Sequence, residues 1–196
     1  SITLEIMKDL FLLKNTDVFK NYPDHKSLDN VLDNVFTNYY QQWPQRIIID
    51  RGPVMTEANF DVMQKHFKPG FKCIVLLRDL MEVFASYIKW YTENPNAFPN
   101  RYGCKNDEEK LLMLMNENGA IVKDLKAIKN SLNYSDICHY VRYDDIVTNP
   151  KQEFKKIYNF LGEPYFNHRF NNLDQVKVNG LSYDDKIVGD NMHKFF

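Results

Sequence analysis

Glycine is scarce in this chain. Its seven glycines stand at positions 52, 70, 103, 119, 162, 180 and 189 of 196 residues. No two are close enough for a G-x-G-x-x-G turn or a G-x-x-x-x-G-K-[ST] loop, so both of these nucleotide loops are excluded within the sequence. Cysteine is sparse too. Cys73, Cys104 and Cys138 form no C-x-x-C pair, which excludes a zinc ribbon and a thioredoxin-type motif. Neither sign of charge dominates, since 25 Lys+Arg face 26 Asp+Glu. A broad nucleic-acid footprint needs a basic excess, so nucleic acid is not an expected partner. No apolar run approaches the ~20 residues of a membrane-spanning helix, so no transmembrane segment is expected.

Core-forming residues are plentiful. Hydrophobic residues make up 44% of the chain and aromatics 14%, which favours a folded domain over disorder. The odd, sparse cysteine set suits a reducing compartment, so the expected location is cytoplasmic. The secretory route or Golgi lumen is the alternative; the one sequon, Asn133-Tyr134-Ser135, adds no more than chance would.

Periodicity places helices at residues 4–15, 27–42, 57–67, 80–93, 107–130 and 150–161. Ser27 reads as the N-cap of the second. Gly119 reads as a tolerated glycine inside the fifth. Pro150 suits the first turn of the last, and Gly162 its stop. Three apolar runs, RIIID at 46–50, KCIVLL at 72–77 and ICHYVR at 137–142, read as buried strands. Unalternating strands between helices imply a parallel sheet covered on both faces.

In such a sheet, ligands bind beyond the carboxyl ends of the strands. Arg51 follows the first run and Arg78 the second. Two arginines at one sheet edge suit a polyanion such as a phosphorylated nucleotide. The plainer reading pairs each with its neighbouring acid, Asp50 or Asp79.

The segment around Arg78 reads K-C-I-V-L-L-R-D-L-M-E-V-F-A-S-Y, with Ser86 eight residues after the arginine. It resembles the 3′-phosphate-binding motif of the sulfotransferases that use 3′-phosphoadenosine 5′-phosphosulfate (PAPS). Leu80 stands where that family often has Pro or Gly. R-I-I-I-D-R-G-P resembles the strand and turn of tyrosylprotein-sulfotransferase-like members, with Arg51 where they carry a lysine. H-Y-V-R-Y-D-D-I-V-T-N-P followed by F-K-K-I-Y-N-F-L-G-E-P is similar to the family's Y-E-D-L and F-L-G block. The tail D-K-I-V-G-D-N-M-H-K-F-F loosely resembles the segment that closes over the 3′-phosphate.

The resemblance implies a three-layer α/β/α fold with a central parallel sheet, of the P-loop-NTPase-like sulfotransferase type. It implies PAPS as donor, PAP as product and no metal. Arg78 and Ser86 would bind the 3′-phosphate, Tyr143 would contact the nucleotide, and Lys186 lies near the basic position of the closing segment. Arg51 would stabilise the transferring sulfuryl group. The family's P-R-S-G-T-T loop has no counterpart here, so residues 1–196 are expected to be a single sulfotransferase domain whose first strand and phosphate loop precede Ser1.

The reaction needs a base for the acceptor hydroxyl. No histidine follows RIIID. Glu5 falls where a base after the phosphate loop could stand, and Glu57 is a second candidate; either is also an ordinary helix-surface acid. The five histidines show no metal-ligand spacing, and Asp144-Asp145 and Asp184-Asp185 read as turn residues. Trp90, Tyr91, Phe98 and Tyr102 read either as packed core or as an acceptor pocket. A nucleotide donor and a hydroxyl or amine acceptor are the expected partners. The competing readings are a catalytically inactive nucleotide- or protein-binding module on the same fold, and a nucleotide kinase, which would need a phosphate loop and a Mg²⁺-binding acid.

Overall fold

The structure is a computed structural model, and it describes residues 2–49, 57–67, 70–94, 98–171, 177–178 and 181–182. The elements in chain order are α1 (Ile2–Leu12), α2 (Asp17–Asn21), α3 (His25–Tyr40), α4 (Glu57–His66), β1 (Cys73–Leu77), α5 (Leu80–Glu93), α6 (Phe98–Arg101), α7 (Asp107–Met115), α8 (Ala120–Ser131), β2 (Cys138–Arg142), α9 (Tyr143–Thr148), α10 (Pro150–Leu161), β3 (Lys177–Val178) and β4 (Leu181–Ser182). The fold is helix-rich α/β. β1 and β2 form a parallel pair, and β3 and β4 an antiparallel one. The chain divides into two compact units, residues 1–73 with 124–138, and residues 74–123 with 139–196.

In the first unit, α1, α3 and α4 bury Met7, Leu28, Leu32 and Val62, with Leu10, Phe11, Phe19 and Val35 packed around them. The cap of α3 corrects the expectation at Ser27. Asp24 is the N-cap, and its carboxylate accepts the Ser27 backbone N–H at 3.0 Å. An aspartate meets a free helix N–H better than a serine already inside the first turn. That hydrogen bond holds the Asp24 carboxyl below the usual carboxylate range. Phe60, fully buried, stacks on Tyr134 with ring centroids 4.3 Å apart. His66 is also fully buried, and its Nδ1 lies 2.8 Å from Asp33 Oδ1. Nearby, Asp29 accepts from Lys65 at 3.0 Å and from Lys14 at 3.3 Å.

The described part of the run at 46–50, residues 46–49, does not form the expected strand. Residues 46–49 are irregular, and Ile49 is 91% exposed. A β-branched run becomes a strand only where a neighbouring strand takes up its backbone groups. Among the described residues none does.

In the second unit, α5, α7 and the start of α8 enclose Tyr91, Leu114 and Ile121, bordered by Val83, Phe84, Tyr87, Ile88, Trp90 and Leu111. The expected long helix at 107–130 is two helices. Asn116 Oδ1 accepts the Asn118 N–H at 2.8 Å, and the Gly119 N–H bonds to Asn116 O at 2.9 Å. A Cβ at Gly119 would stand 2.1 Å from the Leu114 carbonyl oxygen. Close approach, not helical tolerance, is what the glycine serves. α10 begins at Pro150 and ends at Gly162, whose φ of 76° is the left-handed cap that glycine adopts without cost. Among the described residues the two faces of β1 are unequally buried. Val75 is buried, but Ile74 and Leu76 on the opposite face are 46% and 53% exposed.

Candidate functional site

The register of β1 against β2 determines what meets at their carboxyl ends. The Cys73 N–H donates to Ile137 O at 2.8 Å. In a parallel ladder that bond sets Cys73 opposite Cys138. Arg78 follows Cys73 by five residues, and Tyr143 follows Cys138 by five. The same register carried along both strands therefore brings Arg78 beside Tyr143. The Arg78 guanidinium carbon stands 4.5 Å from the centroid of the Tyr143 ring.

The plainer expectation for Arg78, a pair with Asp79, does not hold. Asp79 is the N-cap of α5, and its Oδ1 accepts the N–H groups of Met81 at 2.8 Å and Glu82 at 3.2 Å. A carboxylate turned back onto its own helix start is taken out of reach of the residue before it. Arg78 instead donates through Nε to Glu82 Oε2 at 3.0 Å. The guanidinium is thus held along one edge by Glu82 and on one face by the Tyr143 ring. The remaining edge, with its two terminal nitrogens, has the fork geometry that matches phosphate or carboxylate oxygens.

Ser86 is exposed on α5, one helical turn after Glu82 and on the same face. At the end of β2, Arg142 lies 3.6 Å from Asp144 in a largely exposed pair. Arg142 is a second cation at this sheet edge that the sequence reading did not single out. The Glu82 contact was also missed. The i,i+4 spacing of Arg78 and Glu82 was the signal that could have found it.

The other predicted site residues are not brought to this place by anything described. Arg51 and Lys186 lie outside the described residues, as do Asp184 and Asp185. Glu5 is in α1 and Glu57 opens α4, and both side chains lie outside the described ones. Tyr91 and Trp90 belong to the packed core, with ring centroids 5.1 Å apart, while Tyr102 is 69% exposed. His139 stacks on Phe160 at 5.1 Å. Among the described residues no group of three His, Cys, Asp or Glu side chains could hold a metal ion. No described helix is long and apolar enough to cross a membrane. An open depression of about 420 Å³ lies at the start of α10, lined by Thr148, Asn149, Pro150, Lys151, Gln152 and Lys155. None of Arg78, Ser86 and Tyr143 lines it.

Comparison with known proteins gives one family. The model of the sulfotransferase family matches residues 13–167. No curated protein matches the chain. Among solved structures, the sulfotransferase domain from the curacin biosynthetic pathway is similar, at 19% identity and a TM-score of 0.49. The match covers 82% of this chain and 56% of that one, so this chain spans little more than half of that structure's length.

Proposed function

Because the chain belongs to the sulfotransferase family, we propose that it transfers a sulfuryl group from PAPS to a hydroxyl or amine acceptor and releases PAP. The acceptor atom forms a bond to sulfur as the bond from sulfur to the phosphate oxygen breaks. The acceptor's proton passes to a base. The chain is read as one sulfotransferase domain of the three-layer, P-loop-NTPase-like type.

The observation that carries this reading is the pinned guanidinium of Arg78. A side chain held by Glu82 along one edge and by Tyr143 on one face has lost rotamer freedom before any ligand arrives. Its terminal nitrogens then suit the 3′-phosphate, the group that separates PAPS from ATP-like nucleotides. The Ser86 hydroxyl is the second donor to that phosphate. Tyr143 supports Arg78 and borders the nucleotide, and Lys186 is assigned as a further cation for the 3′-phosphate. Arg51 stabilises negative charge on the sulfuryl and bridging oxygens, and Glu5 is the base.

Isothermal titration with PAP and with adenosine 5′-monophosphate tests the phosphate assignment. The wild-type chain should prefer PAP. Arg78→Ala should weaken PAP about 10- to 100-fold, the range for a lost charge-assisted hydrogen bond. Ser86→Ala should weaken it about 3- to 10-fold. Adenosine 5′-monophosphate should be unaffected by either change. Equal PAP affinity in wild type and Arg78→Ala would overturn the assignment.

A further inference from the structure

Two of the three cysteines meet across the sheet. The hydrogen bond from the Cys73 N–H to Ile137 O sets Cys73 and Cys138 directly opposite each other in a parallel pair. Opposed residues of neighbouring strands project to the same face. Strands lie about 4.8 Å apart, and a disulfide bridges α-carbons about 4.4–6.8 Å apart. The two side chains are in mutual contact, each within hydrogen-bonding reach of the other. Cys104 has no such partner position, since it follows α6 in a loop.

From this placement we infer that Cys73 and Cys138 form a disulfide site whose state is set while the sheet is being built. Closing the bridge breaks two S–H bonds and forms one S–S bond. The two electrons and two protons pass to a low-molecular-weight disulfide such as oxidised glutathione, which leaves as two thiols. In the finished fold the Cys138 thiol is buried and the half-buried Cys73 thiol is hard to ionise. Cys138 is 5% exposed, and burial pushes the Cys73 thiol up to about 12. The thiolate is the attacking species, so the folded chain keeps whichever state it folded in. A closed bridge ties the amino ends of β1 and β2 in the register that sets Arg78 against Tyr143 at the other ends. This inference rests on the register of the two strands and not on the nucleotide reading.

The test compares two treatments of the whole chain. In one, reduced unfolded protein refolds in a buffer of oxidised and reduced glutathione. In the other, protein already folded and reduced is placed in the same buffer. Free thiols are then alkylated under denaturing conditions and the chain is mapped by mass spectrometry. Refolded protein should carry one alkylated cysteine, Cys104, and a linked peptide pair containing Cys73 and Cys138. The folded sample should oxidise at least about 10-fold more slowly than the unfolded chain, because its smaller thiolate fraction is only partly offset by the greater nucleophilicity of a more basic thiolate. Cys104→Ser should give the same linkage. Three alkylated cysteines after refolding, or a bridge that includes Cys104, would overturn the site. Equal oxidation rates in the folded and unfolded chains would overturn its being set during folding.

Discussion

The guanidinium of Arg78 lies over the ring of Tyr143, 4.5 Å from its centroid, and each residue directly follows one of two paired parallel strands. The contact is a consequence of register. Each residue stands five positions beyond a cysteine that faces the other across the sheet. A slip of one residue would turn the side chains to opposite faces and end the contact.

Replacing the ring tests what the contact contributes. Tyr143→Phe keeps the π-face and should bind PAP like the wild type. Tyr143→Leu removes it and should weaken PAP about 2- to 5-fold, the scale of a cation–π contact at a partly exposed site. Titration calorimetry reads both. If Phe weakens binding as much as Leu, the hydroxyl contacts the ligand and the ring is not the support.

Glu82 holds the Arg78 Nε and also partly neutralises its charge. In Glu82→Gln the amide oxygen can still accept from Nε while the negative charge is gone. PAP affinity should then rise about 2- to 5-fold at low salt, with a steeper loss as salt is added. Glu82→Ala should lose that gain, because the guanidinium is no longer held. Weaker binding in Glu82→Gln than in wild type would show that the carboxylate charge itself is needed for orientation.

Gly119 separates α7 from α8 because a side chain there would meet the Leu114 carbonyl at 2.1 Å. Gly119→Ala should lower stability by about 1–3 kcal/mol, the cost of overpacking against backbone that cannot move aside. Urea unfolding followed by circular dichroism measures it. A variant as stable as wild type would mean that the turn opens freely.

Asp29 predicts the acid limb of stability. The hydrogen bond from Lys65 holds its carboxyl below the usual range against the next largest effect, burial, which raises it, and the hydrogen bond from Lys14 adds to the lowering. A carboxyl depressed in the folded state binds its proton more tightly when unfolded. Its contribution is therefore complete above the unfolded value near ~4 and lost as pH falls through the folded one. Asp29→Asn should lower the urea midpoint at pH 7, and the two midpoints should converge below about pH 4. Curves that stay parallel down to pH 3 would remove Asp29 as a source.

Much of the local structure is legible in the residues themselves. α5 and α10 run over the stretches that periodicity marks, because their boundaries are made by near neighbours. Asp79 caps one, and Pro150 and Gly162 bound the other. The Arg-x-x-x-Glu and Arg-to-Ser spacings of the candidate phosphate site are in the same class. Local reading failed where the deciding contact involved a backbone group. Gly119 reads as a tolerated helix residue until the Leu114 carbonyl beside it is known. Ser27 reads as a cap until the carboxylate of Asp24 is found accepting its N–H.

The sequence by itself determined that the chain lacks a glycine-rich phosphate cradle within its 196 residues, and that Arg78 ends an apolar run just before a helix. Both depend only on residues adjacent along the chain. Tertiary structure alone decided that Arg78 lies against Tyr143, that Cys73 faces Cys138, and that residues 46–49 pair with no described strand. Strand register is a choice among side-chain pairings far apart in sequence. It is settled by which pairings bury apolar surface and satisfy backbone groups together, and no single segment carries that information.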